Sequence, residues 1–141
     1  MFIGDGMGNP QVTATQYYLG SIENLDSKFP VPADLSFTKF PYLGLVTTYD
    51  SSSFCPDSAS TATSMASGKK TLSGGYTPFF TAVSHIMNNK AGLSYTSYAH
   101  TGLQIPVYAY GVGAEKFSGL YDNTGIFTRT MDAMGLTADA E

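Results

Sequence analysis

Three short stretches hold side chains whose types and settings could do chemistry. In Phe2-Ile3-Gly4-Asp5-Gly6-Met7-Gly8-Asn9 a carboxylate sits inside a glycine-rich turn. If a strand ends there, Asp5 lies where open α/β sheets bind their ligands, and it can reach a hard or borderline cation. The same residues also suit a plain strand-to-helix turn. A dinucleotide fingerprint would need glycine at position 9, where the chain has Asn9. In Pro56-Asp57-Ser58-Ala59-Ser60-Thr61-Ala62-Thr63 a serine hydroxyl stands at a helix start. Unpaired amides and the helix dipole favour a phosphate there and stabilise charge that develops on it. Serine is a poor nucleophile at its own pKa, so Ser58 needs a neighbouring base or a metal. The alternative is that Asp57 or Ser58 only caps the helix. A Walker motif is excluded, because Gly68-Lys69 lacks a glycine at position 63 and Lys70 follows where Ser or Thr is required. In Tyr98-Ala99-His100-Thr101-Gly102 an imidazole just before a strand is either a zinc ligand or a hydrogen-bonded structural residue. His85 reads as ordinary helix surface or packing.

The elements that must position these side chains follow from local signals. Met1 to Gly4 reads as the end of a buried strand, and Asn9-Pro10 as an N-cap and first helical position of a helix to about Gly20. Pro30, Pro32 and Pro41 make the stretch from Ser21 to Pro41 mostly loop. Tyr42 to Tyr49 is a strand by its Leu, Val, Thr and Tyr content. The small residues after Asp57-Ser58 predict a close-packed helix ending at Gly68. Pro78 to Lys90 reads as helix, Gly92 to Tyr98 and Ile105 to Tyr110 as strands, and Thr124 to Gly135 as a last amphipathic helix. Strands alternating with helices give an α/β class.

With 141 residues the chain fits one domain and can bury a core without disulfides or a structural metal. Only 13% of residues are charged, while 43% are hydrophobic and ten are tyrosine, so solvated surface is under-supplied against a usual charged share of about 25%. A net charge of -4 and the absence of a Lys/Arg cluster argue against nucleic-acid binding. Lys69 and Lys70 are adjacent, and Arg129 is the sole arginine. Cys55 is the only cysteine, so no internal disulfide forms. No apolar run approaches the length of a membrane span. No basic stretch with an apolar core precedes Phe2, so the sequence displays no signal peptide.

The three motifs together resemble alkaline phosphatases. Phe2 to Gly8 is similar to the family's first metal-binding strand and turn, Pro56 to Thr71 to its nucleophile helix, and His100 to Phe127 to its closing region, in family order. The match covers residues 1 to about 74 and about 76 to 138, with a junction near Gly75. The resemblance implies a fragment of a three-layer α/β/α sandwich, a single truncated domain. By the same resemblance Ser58 is the nucleophile that becomes a phosphoserine, and Asp5 bridges a zinc and the magnesium. His100 then ligates the other zinc, and Asp57 steadies a phosphate-binding arginine. The implied activity is metal-dependent hydrolysis of phosphate monoesters, with inorganic phosphate as product, zinc and magnesium as cofactors, and a periplasmic or secreted location.

The resemblance leaves out the family's middle section, which supplies the phosphate-gripping arginine and most metal ligands. A catalytic zinc usually takes three protein ligands, and this chain has two histidines. Asp50, Asp57 and Asp122 are available as substitutes by type, though nothing in their spacing marks them. Arg129 lies in a packing helix. Impaired turnover is therefore expected, and the alternative is a non-catalytic remnant that binds at most one cation or phosphate. Absent central strands would leave open sheet edges and a tendency to homodimerise or associate non-specifically.

Overall fold

The computed structural model describes residues 1–74, 83, 86–92 and 99–136. His85, the junction near Gly75 and nearly all of the expected strand from Gly92 to Tyr98 lie outside the described residues. Of the expected helix from Pro78 to Lys90, residues 83 and 86–90 are described and are helical.

Helix α1 spans Asn9–Glu23. Pro10 stands in its first turn, where a missing N–H removes no intrahelical bond. The N-cap is Gly8 in extended conformation and not Asn9, which is already helical. The helix runs past Gly20 and stops at Asn24, whose backbone N–H and Nδ2 both donate to Gly20 O at 3.1 and 3.0 Å. Beyond it the proline-rich segment turns back across the helix. Ala33 N donates to Gln16 O at 2.8 Å, and Gln16 Nε2 donates to Ala33 O at 3.2 Å. Gly20 is buried under this crossing.

Strands β1 (Tyr42–Thr47), β2 (Ile105–Ala109) and β3 (Gly119–Asp122) form one sheet in the order β2-β1-β3. Central β1 pairs antiparallel with β2, Gly44 facing Val107, and parallel with β3, Gly44 facing Gly119. The period-2 alternation of a strand turns Gly44 and Val46 inward, Val46 fully buried, while Leu43 stays exposed. Residues from the first and last thirds of the chain thus share one ladder.

Helix α2 (Ser58–Ser67) is built almost entirely of small side chains, and its buried face consists of Ser60 and Ser64. It ends at Gly68, whose φ of +71° is the left-handed cap a glycine takes without a Cβ penalty. Helix α3 (Gly125–Ala133) buries Ile126 and lays Phe127 against Gly68. The turn before α3 is anchored to the end of β1: Asn123, fully buried, donates from its N–H to Thr47 O at 2.9 Å and from Nδ2 to Thr48 O at 3.3 Å.

The mixed α/β class of the sequence reading stands, but one element does not. Met1 to Gly4 is not a strand. Phe2 and Ile3 are exposed, and the pairings of the described sheet do not include them. Apolar composition cannot supply a pairing partner. Strand β3, four residues between Ser118 and Asn123, carried too short a pattern to be read in advance.

Candidate functional site

The local fold around Ser58 starts from Asp57. Its backbone is extended (φ -86°, ψ 173°), its Oδ1 accepts from Ser60 N at 2.8 Å, and its carbonyl accepts from Thr61 N at 3.2 Å. Asp57 is therefore the N-cap of α2, and Ser58 is its first helical residue, with an exposed side chain. The other carboxylate oxygen, Oδ2, accepts from Gly74 N at 2.6 Å. The Ser60 and Gly74 amides hold the Asp57 carboxyl below the ordinary aspartate pKa, and the charge of His100 acts in the same direction.

Asp5 reaches the same place by a turn. Met7 N donates to Gly4 O at 3.2 Å, and Gly6 adopts φ +65°, a conformation that favours glycine. The reversal brings Asp5 over the start of α2, where Ser58 Oγ donates to Asp5 Oδ1 at 2.6 Å. The two residues are 53 positions apart in sequence. A carboxylate that accepts a short bond from a serine hydroxyl can orient that hydroxyl and take its proton. The helix dipole of α2 favours negative charge at the same point.

His100, partly exposed, belongs to a segment packed beside the loop that leads into α2: a Cβ on Gly102 would stand 2.7 Å from Phe54 O. The structure thus brings Asp5, Ser58 and Asp57 together and sets His100 near enough for its charge to act on Asp57.

Among the described residues no three of His, Cys, Asp and Glu gather closely enough to hold an ion. Both oxygens of Asp57 are engaged by backbone amides. Asp50, 5% exposed, is engaged as well: Oδ1 accepts from Ser52 N, Ser52 Oγ and Ser53 N, and Oδ2 accepts from Ser73 Oγ. Asp122 accepts from Lys70, Thr47 and Thr124. Against a need of about three protein ligands per catalytic zinc, the described residues do not fit such a centre. Arg129 places its guanidinium 3.8 Å from the centroid of the Tyr121 ring, a packing contact far from a phosphate clamp in kind.

Sequence reasoning passed over Ser73 and Gly74, which close on Asp57 from the far end of α2. The usable signal was the run Asp50-Ser51-Ser52-Ser53, since Asp and Ser side chains favour turns that bind nearby backbone amides.

Comparison with known proteins gives a family assignment. The sequence model of the family described as Alkaline phosphatase matches residues 1–77 and 80–136. The chain is similar to an alkaline phosphatase of Gadus morhua, 34% identical over 97 residues, which are 69% of this chain and 20% of the relative. It is also similar to the tissue-nonspecific isozyme of Gallus gallus, 38% identical over 74 residues, 52% of this chain and 14% of that protein. Alkaline phosphatase 4 of Bacillus subtilis (strain 168) is 51% identical over 43 residues, 30% of this chain and 9% of that protein. The matched stretches span a fifth or less of the length of these relatives. No solved structure matches.

Proposed function

The chain belongs to the alkaline phosphatase family, and from that premise we propose that it carries the nucleophile of a phosphate monoester hydrolase, with Ser58 as the attacking group and Asp5 as its partner. The observation that carries this reading is the 2.6 Å bond from Ser58 Oγ to Asp5 Oδ1 at the N-terminus of α2. In the first step the Ser58 Oγ to phosphorus bond forms, the ester P–O bond breaks, the Ser58 proton passes to Asp5, and solvent protonates the departing alkoxide. In the second step water attacks phosphorus, the bond from phosphorus to Ser58 Oγ breaks, Asp5 returns its proton to Oγ, the attacking water gives up a proton to solvent, and inorganic phosphate leaves. The α2 dipole stabilises the charge that builds on the phosphoryl oxygens. Asp57 fixes the helix start from which Ser58 projects.

Zinc and magnesium belong to this reading through the family, with Asp5, Ser58 and His100 as the ligands this chain would offer. The described donors do not complete a centre for either ion. That same observation favours a second reading, a folded non-catalytic remnant that binds at most one cation or phosphate. Pairing of β1 with both β2 and β3 supports treating residues 1–74 and 76–138 as parts of one truncated domain. A periplasmic or secreted location and a homodimeric state accompany the family reading. Among the described residues no helix is long and apolar enough to cross a membrane.

The test is turnover of an aryl phosphate by the purified chain with zinc and magnesium supplied. Hydrolysis that disappears in Ser58→Ala is the expected result. A Ser58→Ala chain as fast as the parent sinks the hydrolase reading.

A further inference from the structure

The N-cap of the helix that carries Ser58 is held by a partly buried relay centred on Asp50 and Ser73, two residues outside the three motifs. Asp50 is 5% exposed and has its Oδ1 fixed by three donors: Ser52 N at 2.7 Å, Ser53 N at 2.8 Å and Ser52 Oγ at 3.0 Å. Its Oδ2 accepts from Ser73 Oγ. A hydroxyl that donates to a carboxylate keeps its lone pairs for another donor, and Ser73 Oγ accepts from Asp57 N at 3.1 Å. It also lies 3.4 Å from Ser60 Oγ, on the first turn of α2. The next residue, Gly74, donates its N–H to Asp57 Oδ2 at 2.6 Å, while Ser73 N donates to Ser52 Oγ at 3.2 Å. The strand-side turn 50–53, the segment 71–74 after α2, and the N-cap of α2 are therefore tied at one hydroxyl.

We infer that Asp50 and Ser73 are positioning residues for Ser58: Asp50 orients the Ser73 hydroxyl, and Ser73 fixes the Asp57 peptide so that Ser58 Oγ stays within reach of Asp5. Neither residue touches the reacting atoms. Bonds to a charged acceptor rank among the stronger protein hydrogen bonds, and low exposure keeps water from replacing Asp50. The Asp50 pKa is driven well below the ordinary aspartate value, chiefly by the Ser73 hydroxyl, so the relay persists with a charged acceptor at neutral pH. The inference rests on the hydrolase reading for its catalytic consequence, but its geometric part stands apart from turnover.

The experiment compares the parent chain, Ser73→Ala, Asp50→Asn and the double variant by amide hydrogen exchange and by hydrolysis of p-nitrophenyl phosphate. Loss of a hydrogen bond to a charged group predicts about ten- to hundredfold faster exchange at Asp57, Ser60 and Gly74 in Ser73→Ala, with β1 amides such as that of Val46 unchanged. The double variant exchanges no faster than Ser73→Ala, because one pathway has been cut twice. In an active parent, kcat falls by a similar factor with KM unchanged. Exchange at Ser60 and Gly74 equal to the parent, or acceleration shared by Val46, overturns the inference. A parent without turnover overturns the hydrolase reading alone, and the exchange pattern then decides the positioning role.

Discussion

Lys70 Nζ donates to Asp122 Oδ2 at 2.8 Å across 52 residues of sequence, joining the exit of α2 to the turn that begins α3. The same ammonium donates to Asn123 Oδ1 at 3.0 Å and to Tyr49 O, and lies 3.4 Å from the centroid of the Tyr49 ring. The pair is mostly shielded, at 19% and 27% side-chain exposure. Replacing Lys70 with Met removes the cation from Asp122, which keeps Thr47 and Thr124, and takes the donor from Oδ1 of the fully buried Asn123, and a loss of about 1–3 kcal/mol is expected. Urea denaturation of the variant reads this directly, and a midpoint equal to the parent's refutes it.

Stability should fall in acid over a defined window. Burial raises the Asp122 pKa, but bonds from Lys70, Thr124 and Thr47 outweigh it and bring the value from 3.8 to about 2. Asp50 is displaced in the same direction, first by the Ser73 hydroxyl. A carboxyl with a depressed folded pKa contributes stability above its unfolded value and loses it as pH falls towards the folded one. Thermal midpoints should hold steady above about pH 5 and drop between about pH 4 and pH 2. Asp122→Asn should start lower at neutral pH and fall less steeply, and an equally steep fall argues against this assignment.

Gly20→Ala tests the crossing of the proline-rich segment. In an open helix the change would gain about 1 kcal/mol from helix propensity. Here the added Cβ would meet Val31 O at 2.0 Å and Ala33 N at 2.8 Å. Overpacking of that kind costs about 1–3 kcal/mol, so sterics win and the variant melts lower. A raised melting temperature would show that the segment gives way freely.

Asp5→Asn keeps the size of the side chain but removes its capacity to take a proton. General-base assistance contributes about a hundredfold or more, so kcat for an aryl phosphate should fall by about that factor while the fold persists. Circular dichroism checks the fold. Unchanged kcat removes Asp5 from the proton path.

Metal analysis after dialysis should find fewer than two zinc ions per chain, since the described donors offer no group of three. Elemental analysis of Asp5→Ala alongside the parent locates whatever is bound. Two zincs per chain would demonstrate a complete ligand set and end the remnant reading.

Local chemistry made much of the fold legible. Asp57 three residues before Ser60 wrote the N-cap, Gly68 wrote the C-cap, and Pro10 fixed the first turn of α1. The Leu-Val-Thr run of β1 and the Ile-Pro-Val-Tyr run of β2 were readable because strand preference acts within a few residues. Met1 to Gly4 misled because its apolar side chains resemble a buried strand, whereas burial depends on a neighbour that no local pattern encodes. Strand β3 escaped notice because four residues cannot establish a period.

Of the candidate site, the sequence by itself determined the residue types and the helix terminus: a serine at the start of α2, a carboxylate in a glycine turn, and a family to which both belong. Only the tertiary structure decided that Asp5 and Ser58 meet at 2.6 Å, that Asp50 is committed to Ser73, and that Asp122 is held by Lys70. Caps and turns are set by bonds spanning three or four residues, which composition records. These three contacts span 53, 23 and 52 residues, separations at which no local pattern names the partner, so they are properties of the folded chain.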